Sequence, residues 1–247
     1  MLDFSIISDV FPQLLRGVGT TGKLALLILI FGMIVAIPIG YARNAKSIWY
    51  HGPAASYILI IRGVPSLVQV FLVYFGLGQL DWVRSSFLWP ALRDPFDCVI
   101  IALGLNSAAY TAEIIAGALR LVPKGLIEAS YALGMSWYRT QRTVVIPLAA
   151  RAAFPAYETE ILLTVKATSL ASTVTLLDLT GMARLAVTET FAPYEVFLSA
   201  GTIYFCMTSS LSWLLRRIET RFALNNLRVA SRAKIGVDAS EPPYAVE

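Results

Sequence analysis

Charged residues are scarce in this chain. Of its 247 residues only 15% are Asp, Glu, Lys or Arg, against 57% that are hydrophobic, whereas soluble domains average about 25% charged residues. Histidine occurs once, at His51, and cysteine twice, at Cys98 and Cys206. These numbers offer no disulfide framework and no Cys/His spacing typical of a metal site. The composition therefore excludes an ordinary soluble enzyme and indicates a membrane protein.

Long runs with little or no charge dominate what is present. The clearest runs are Leu24–Tyr41, Gly63–Leu80, Cys98–Ala112 and Pro193–Leu215. A bilayer span needs about 20 mostly apolar residues, and a helix satisfies all its backbone polar groups within one span. Ala152–Val165 is shorter and is interrupted by Glu158 and Glu160, but the charge pattern around it requires an odd number of crossings. We predict an all-α, multi-pass membrane protein with five transmembrane helices.

The lysines and arginines between these runs predict the orientation, because cytoplasmic loops carry an excess of them. Three basic groups are assigned to the cytoplasm: Arg43 and Lys46; Arg120, Lys124, Arg139, Arg142 and Arg151; and Arg216, Arg217, Arg221, Arg228, Arg232 and Lys234. Segments 81–97 and 173–193 mix basic with acidic residues and are assigned to the outside. The N-terminus is then outside and the C-terminus cytoplasmic. The net charge of +4 reflects this topology and calls for no nucleic acid as a partner.

Residues 1–19 are predicted to form a short periplasmic lead-in that lies on the outer membrane surface. No cleavable signal peptide is expected, because the first apolar run starts late and lacks a basic leader. Residues 17–23 match the dinucleotide fingerprint G-x-G-x-x-G and most of the phosphate-binding P-loop. Both motifs need a preceding strand and a soluble helix, and Leu24 stands where the P-loop has Ser or Thr. We interpret these glycines as a flexible entry into the membrane, and we expect no ATP hydrolysis by this chain itself.

The polar loop 121–151 separates the third and fourth apolar runs. Pro123 and Lys124 open a helical turn, since proline is tolerated in the first turn of a helix. Apolar side chains at Ile127, Tyr131 and Met135 recur at helical spacing and would form one stripe. Gly134 is placed to end the helix in a left-handed conformation.

This loop closely resembles the EAA motif of ABC-importer permeases. The resemblance lies in Glu128-Ala129-Ser130, in Gly134 six residues after the glutamate, and in Ile146-Pro147. Further matches to the polar amino-acid permeases cover most of the chain: Arg62 to Gln69, Tyr74 to Gly76, Ala109 to Glu113 and Ala167 to Leu170. Segments 115–118 and 155–160 are most similar to permeases for histidine, lysine, arginine, ornithine and opines. Val64 and Ser130 depart from the family pattern.

The resemblance implies a type I ABC-importer transmembrane domain at residues 20–217, with a coupling loop at 121–151 and a cytoplasmic tail at 218–247. It implies a bacterial inner-membrane subunit that imports amino acids, with basic amino acids or opines favoured. Glu128, Ala129, Gly134 and Pro147 would contact an ATPase. The partners would be a second permease chain, identical or related, two ATPase subunits that bind ATP and Mg²⁺, and a periplasmic solute-binding protein. This chain would bind no cofactor and would contact membrane lipid.

Ionisable residues inside a membrane are costly and suggest function. Tyr157, Glu160 and Thr164 are spaced to share one helix face, which we predict lines the substrate pathway. Glu160 would match a cationic substrate, or it would pair with a basic residue of the partner chain. Glu158 lies about 200° around the helix from Glu160 and should pair with another helix or subunit. Glu113 is interpreted as structural.

Other classes of membrane protein remain open at this point. A secondary transporter is commonly built from internal repeats, and no repeat is visible in this sequence. A membrane-embedded enzyme needs a constellation of catalytic side chains, which His51 alone does not provide. A scaffold without transport activity fits the composition, but the coupling-type loop argues against it.

Overall fold

The computed structural model describes residues 4–87 and 89–238, with side chains described for 5–87 and 89–220. No strand occurs within these residues, so the prediction of an all-α chain is confirmed. The α-helices are α1 Phe4–Arg43, α2 Ile48–Gly63, α3 Ser66–Phe71, α4 Asp81–Arg84, α5 Trp89–Leu92, α6 Pro95–Arg120, α7 Lys124–Ala132, α8 Trp137–Thr140, α9 Ile146–Ala167, α10 Leu179–Thr190 and α11 Pro193–Asp238. Helix α3 is continued by a short π-helix at Leu72–Gly76 and a 3₁₀-helix at Leu77–Gln79. A second π-helix, Gln141–Val145, precedes α9, and a 3₁₀-helix, Thr168–Val174, follows it.

Helix α6 lies at the centre of the molecule. It packs against α1, α2, α3 and α9, and its buried positions are mostly small residues such as Ala102, Ala108 and Ala112. Small side chains allow close approach of helices where a membrane offers no hydrophobic driving force between them. At Gly104 a Cβ atom would collide with the ring of Phe31 from α1, so this glycine is needed for the α1–α6 contact.

Helix α1 is longer than the apolar run predicted. It extends without a break for 40 residues, so the predicted lead-in 1–19 is not a separate surface segment over its described residues. Val10 and Leu14 are buried against α10 and α11, and this packing keeps the N-terminal part helical. Gly17 allows the close approach, because a Cβ there would lie 2.7 Å from Leu179 Cα. Gly17 therefore serves helix packing, and residues 17–22 lie within a continuous helix instead of forming a flexible entry.

A helix that the sequence did not predict, α2, precedes the predicted span 63–80 and is joined to it by a sharp bend. Helices α2 and α3 meet at 102° across Val64 and Pro65, since the residue before a proline is driven away from helical backbone. The Gln69 side-chain amide donates to the carbonyls of Ile61 and Val64 at 2.7 and 2.8 Å. It thereby satisfies carbonyl groups that the break in the helix leaves without partners.

Among the described residues, two helices, α1 and α6, are long and apolar enough to cross a membrane, and up to four spans result if each bent pair is counted as one. The second bent pair joins residues 137–174 to α10 at 48°. Helix α11 contains the predicted span 193–215, but its polar residues make it less apolar than α1 and α6. The number of five spans and their orientation stay predictions. The predicted tail begins inside α11, and residues 239–247 lie outside the described residues.

Candidate functional site: the coupling loop and the polar membrane interior

The coupling loop folds as a short helix that ends where the sequence predicts. Pro123 precedes α7 with extended backbone, and Gly134 has φ of +73°. The Gly134 amide donates to Tyr131 O at 2.9 Å, and the Met135 amide donates to Ser130 O at 3.1 Å. These two bonds form a Schellman motif, in which a left-handed residue closes the last turn of a helix. The left-handed glycine is confirmed.

The inner face of α7 packs on the rest of the loop. Ile127 contacts a buried cluster formed by Ala118, Val122, Val145 and Ala149. Ser130, one of the departures from the family pattern, is buried and donates its hydroxyl to Leu126 O at 2.7 Å. The predicted stripe of three apolar residues is only partly correct, because Tyr131 is exposed and Met135 lies beyond the end of the helix.

The outer face of α7 is open to another molecule. Glu128 and Ala129 are exposed, and Leu133 next to them is 82% exposed. Pro147 lies in the first turn of α9 and is half-buried, between Val145 and Ala149 of the cluster that Ile127 contacts. The structure thus places Glu128, Ala129 and Gly134 together at the exposed surface of α7 and its end, whereas Pro147 lies on a different helix, α9. The joint role of these four residues in coupling stays a prediction.

The predicted pathway face of α9 is turned toward α6. Glu160 is 7% exposed and accepts hydrogen bonds from Ser107 of α6 at 2.8 Å and from Thr164 at 3.4 Å. Tyr157 is half-buried beside an apolar cavity that also contacts Met33 of α1. The three residues do share one face, but the expected opening toward a pathway is not seen in the isolated chain. The role of this face in transport stays a prediction.

Two other membrane carboxylates hold helices together. Glu158 accepts a hydrogen bond from Ser212 of α11 at 3.0 Å and lies 3.7 Å from Arg216, which confirms its predicted pairing with a neighbouring helix. Glu113 pairs with Arg43 at 3.2 Å and with Arg120 at 3.1 Å. Its structural interpretation agrees with these bonds, but its expected apolar surroundings were wrong, because both arginines reach it from the ends of helices.

A polar cavity around Arg62 was missed by the sequence interpretation. The Arg62 guanidinium lies over the ring of Tyr110 from α6, 4.9 Å from its centre. Arg62 and Tyr110 line two adjoining cavities of about 640 and 440 Å³. Asn106 lines the smaller one and donates to Gln69 Oε1 at 3.2 Å. One sequence feature could have indicated this cavity: Arg62 is a charged residue directly before the apolar run that begins at Gly63. Charged residues within membrane segments usually have a functional role.

Comparison with known proteins identifies the class of this molecule. Residues 28–224 match the family described as binding-protein-dependent transport system inner membrane component. The nopaline transport system permease protein NocM of Agrobacterium fabrum is 43% identical over 88% of this chain and 91% of its own length. The histidine/lysine/arginine/ornithine transport system permease protein HisM of Escherichia coli is 36% identical over 83% of this chain and 87% of its own.

Solved structures agree with this similarity. An amino acid ABC transporter crystallised with histidines superposes with a TM-score of 0.78 at 32% identity, over 90% of this chain and 99% of the other. The inward-facing MetNI methionine ABC transporter superposes with a TM-score of 0.71 at 18% identity, over 85% of this chain and 96% of the other, which shows a shared fold. Together with the left-handed end of α7 and the helical architecture, these matches establish that the chain belongs to the inner-membrane components of binding-protein-dependent transport systems, the permease subunits of ABC importers.

Proposed function

We propose that this chain is the permease subunit of an ATP-driven importer for cationic amino acids or opines. The observation that carries the proposal is α7, a short helix with an exposed Glu128-Ala129 pair and a glycine-terminated end. An exposed helix of this kind can couple a conformational change to another protein only if that protein docks on it. A separate ATPase subunit would occupy this position, and ATP and Mg²⁺ would bind there. This chain would then bind no cofactor and carry out no catalytic step.

The assembly we propose contains two permease chains, two ATPase subunits and a periplasmic solute-binding protein. Five helices are too few to surround a gated pathway, so a second permease chain, identical or related, would complete it. The family description supports the binding protein, since it names a binding-protein-dependent system. The N-terminus would be outside and the C-terminus in the cytoplasm of a bacterial cell.

The preference for cationic substrates rests on Glu160 and on the relatives. Relatives are named for nopaline, octopine and arginine transport, and arginine and its opine conjugates carry a guanidinium group. Opposite charges about 4 Å apart gain roughly 4 kcal/mol at an effective dielectric near 20, before desolvation is subtracted. A buried carboxylate at Glu160 would therefore favour a cationic solute once the pathway opens beside it. The competing role is an ion pair with the partner chain.

Copurification tests the proposal directly. A tagged chain should bring an ATPase with it from the membrane, and arginine or octopine with the cognate binding protein should stimulate ATP hydrolysis by the reconstituted complex. A cysteine at Ala129, in a chain whose Cys98 and Cys206 are replaced by serine, should crosslink to that ATPase. A cysteine at Arg93, which is exposed in the loop before α6, should not. Absence of an associated ATPase, or equal crosslinking from both positions, would contradict the proposal.

A further inference from the structure

Arg62 has no acidic partner among the residues that the structure describes. The other arginine of the larger cavity, Arg43, is already paired with Glu113 at 3.2 Å. The guanidinium of Arg62 is instead exposed and rests on the ring of Tyr110. A cation stacked on an aromatic face keeps its plane and its outward N–H groups available. Arg62 is thus a positioned but unneutralised positive charge.

Arg62 lies at the edge of an apolar segment of the chain. Arg62 is the penultimate residue of α2, which begins at Ile48, so it lies about 20 Å along the helix at 1.5 Å per residue. It directly precedes the predicted membrane span, which begins at Gly63. A charge next to an apolar span normally faces water, a cavity or a bound group rather than lipid.

The surroundings of Arg62 have the size and chemistry of a small-molecule site. Cavities of about 640 and 440 Å³ adjoin at Arg62, within the range of about 300 to 1,000 Å³ found for ligand pockets. Ser66 and Asn106 add polar groups to the smaller cavity. Gln69 holds Asn106 there through the bond at 3.2 Å, and the same Gln69 side chain fixes the bend that carries Ser66.

Arg62 and Glu160 are residues of opposite charge. They approach α6 on adjacent faces, since Tyr110 lies beneath Arg62 and Ser107 donates to Glu160 at 2.8 Å. A guanidinium binds a carboxylate through two parallel hydrogen bonds. We propose that Arg62 receives the carboxylate of a zwitterionic solute in this cavity and leaves the cationic end of the solute for Glu160. This inference rests on the proposed import of amino acids or opines, and it assigns Arg62 as a residue that selects for a carboxylate.

The test compares arginine with agmatine, which is arginine without its carboxylate. Equilibrium binding of both is measured on the purified permease–ATPase complex in lipid nanodiscs, without the binding protein, which would impose its own selectivity. The wild-type complex should bind arginine at least about tenfold more tightly than agmatine, a difference of about 1.4 kcal/mol. Arg62→Gln should reduce arginine binding to the agmatine level and leave agmatine binding unchanged. Arg62→Lys keeps the charge without the two-pronged geometry and should fall between.

Arg93→Gln is the matched control, because it removes an exposed arginine outside both cavities, and it should preserve the preference. An unchanged preference in Arg62→Gln would overturn the inference, as would a wild-type complex that binds agmatine as tightly as arginine, or neither. If Arg62→Gln does not assemble, an unchanged preference in Arg62→Lys overturns it instead. ATP-driven import by the wild type is measured separately, so a failure here is distinguishable from failure of the proposed function.

Discussion

Gly134 is the residue on which the end of the coupling helix depends. Its φ of +73° is a conformation that side chains with a branched Cβ strongly disfavour, and the left-handed region costs about 1–2 kcal/mol per non-glycine residue. No atom lies within 4 Å of a Cβ built there, so a substitution acts through backbone strain. Gly134→Val should abolish transport while the chain still inserts into the membrane. Gly134→Asn should retain most transport, because asparagine tolerates this conformation, and equal uptake by both variants would contradict the prediction.

Glu160 permits a test by removal of charge alone. Glu160→Gln keeps an oxygen that can accept the bond from Ser107 but loses the negative charge. If the carboxylate faces a cationic substrate during transport, import of arginine should fall at least about tenfold in a complex that still assembles. Glu158→Gln is the comparison, because Glu158 pairs with α11, and it should keep substrate preference. Unchanged arginine import by Glu160→Gln contradicts the substrate role, and loss of assembly favours a pair with the partner chain.

The conformation of single residues could be predicted from the sequence where the interacting groups are close together in the chain. Pro123 and Gly134 define α7 by their own backbone preferences. Glu158 could be assigned to another helix from helical geometry alone, but not to Ser212 or Arg216, because these partners lie more than fifty positions away. Arg62 was passed over for the same reason, since Tyr110 comes beside it only in the folded chain.

At the level of helices, two glycines of α1 differ in how closely α10 approaches them. A Cβ at Gly17 would lie 2.7 Å from Leu179 Cα, whereas a Cβ at Gly19 would meet nothing within 4 Å. Gly17→Ala should destabilise the protein by about 1–3 kcal/mol, as overpacking usually does. Gly19→Ala should be neutral or stabilising by up to about 1 kcal/mol, because alanine favours a helix interior.

The measurement is the melting temperature of the detergent-solubilised protein. In a chain of this size each kcal/mol shifts the midpoint by about 2–4 °C, so the two variants should move in different directions or by clearly different amounts. Equal melting temperatures would show that α1 does not approach Leu179 closely in solution. Thr21 offers an independent check, because its hydroxyl accepts the Leu179 amide at 3.0 Å, and Thr21→Val should also lower the midpoint.

Helix limits were harder to predict than helix existence. Charge-free runs identify apolar cores of helices, but α1 begins much earlier than Leu24 because Val10 and Leu14 bury against α10 and α11. The bend between α2 and α3 depends on Gln69, whose amide reaches back to Ile61 and Val64. Hydropathy contains no term for such tertiary partners, so it identified the apolar span from Gly63 to Leu80 but neither α2 before it nor the bend between them.

For the whole molecule, the arrangement around α6 supports our proposal that a second permease chain completes the pathway. Helices α1, α2, α3 and α9 contact α6, and the cavities beside Arg62 lie among residues of α2, α3 and α6, with Arg43 of α1 at their edge. A pathway bounded on one side by these helices needs a second wall. A second permease chain would supply that wall, and Arg62 and Glu160 would then lie near the boundary between the two chains.

The orientation of the whole chain can be tested with fused reporters. Basic residues concentrate at Arg43 and Lys46, around Arg120 to Arg151, and after Leu215, which predicts that these regions are cytoplasmic. A reporter that is active only in the cytoplasm should work when inserted near Gly125 or fused after Arg221, and it should fail near Asp94 or Arg184. Activity near Arg184 would mean that α9 and α10 do not carry the chain across. Glu158 and Glu160 would then lie outside the hydrocarbon core, where a carboxylate needs neither Ser212 nor Ser107 as a partner, and both proposed roles of Glu160 would lose their physical basis.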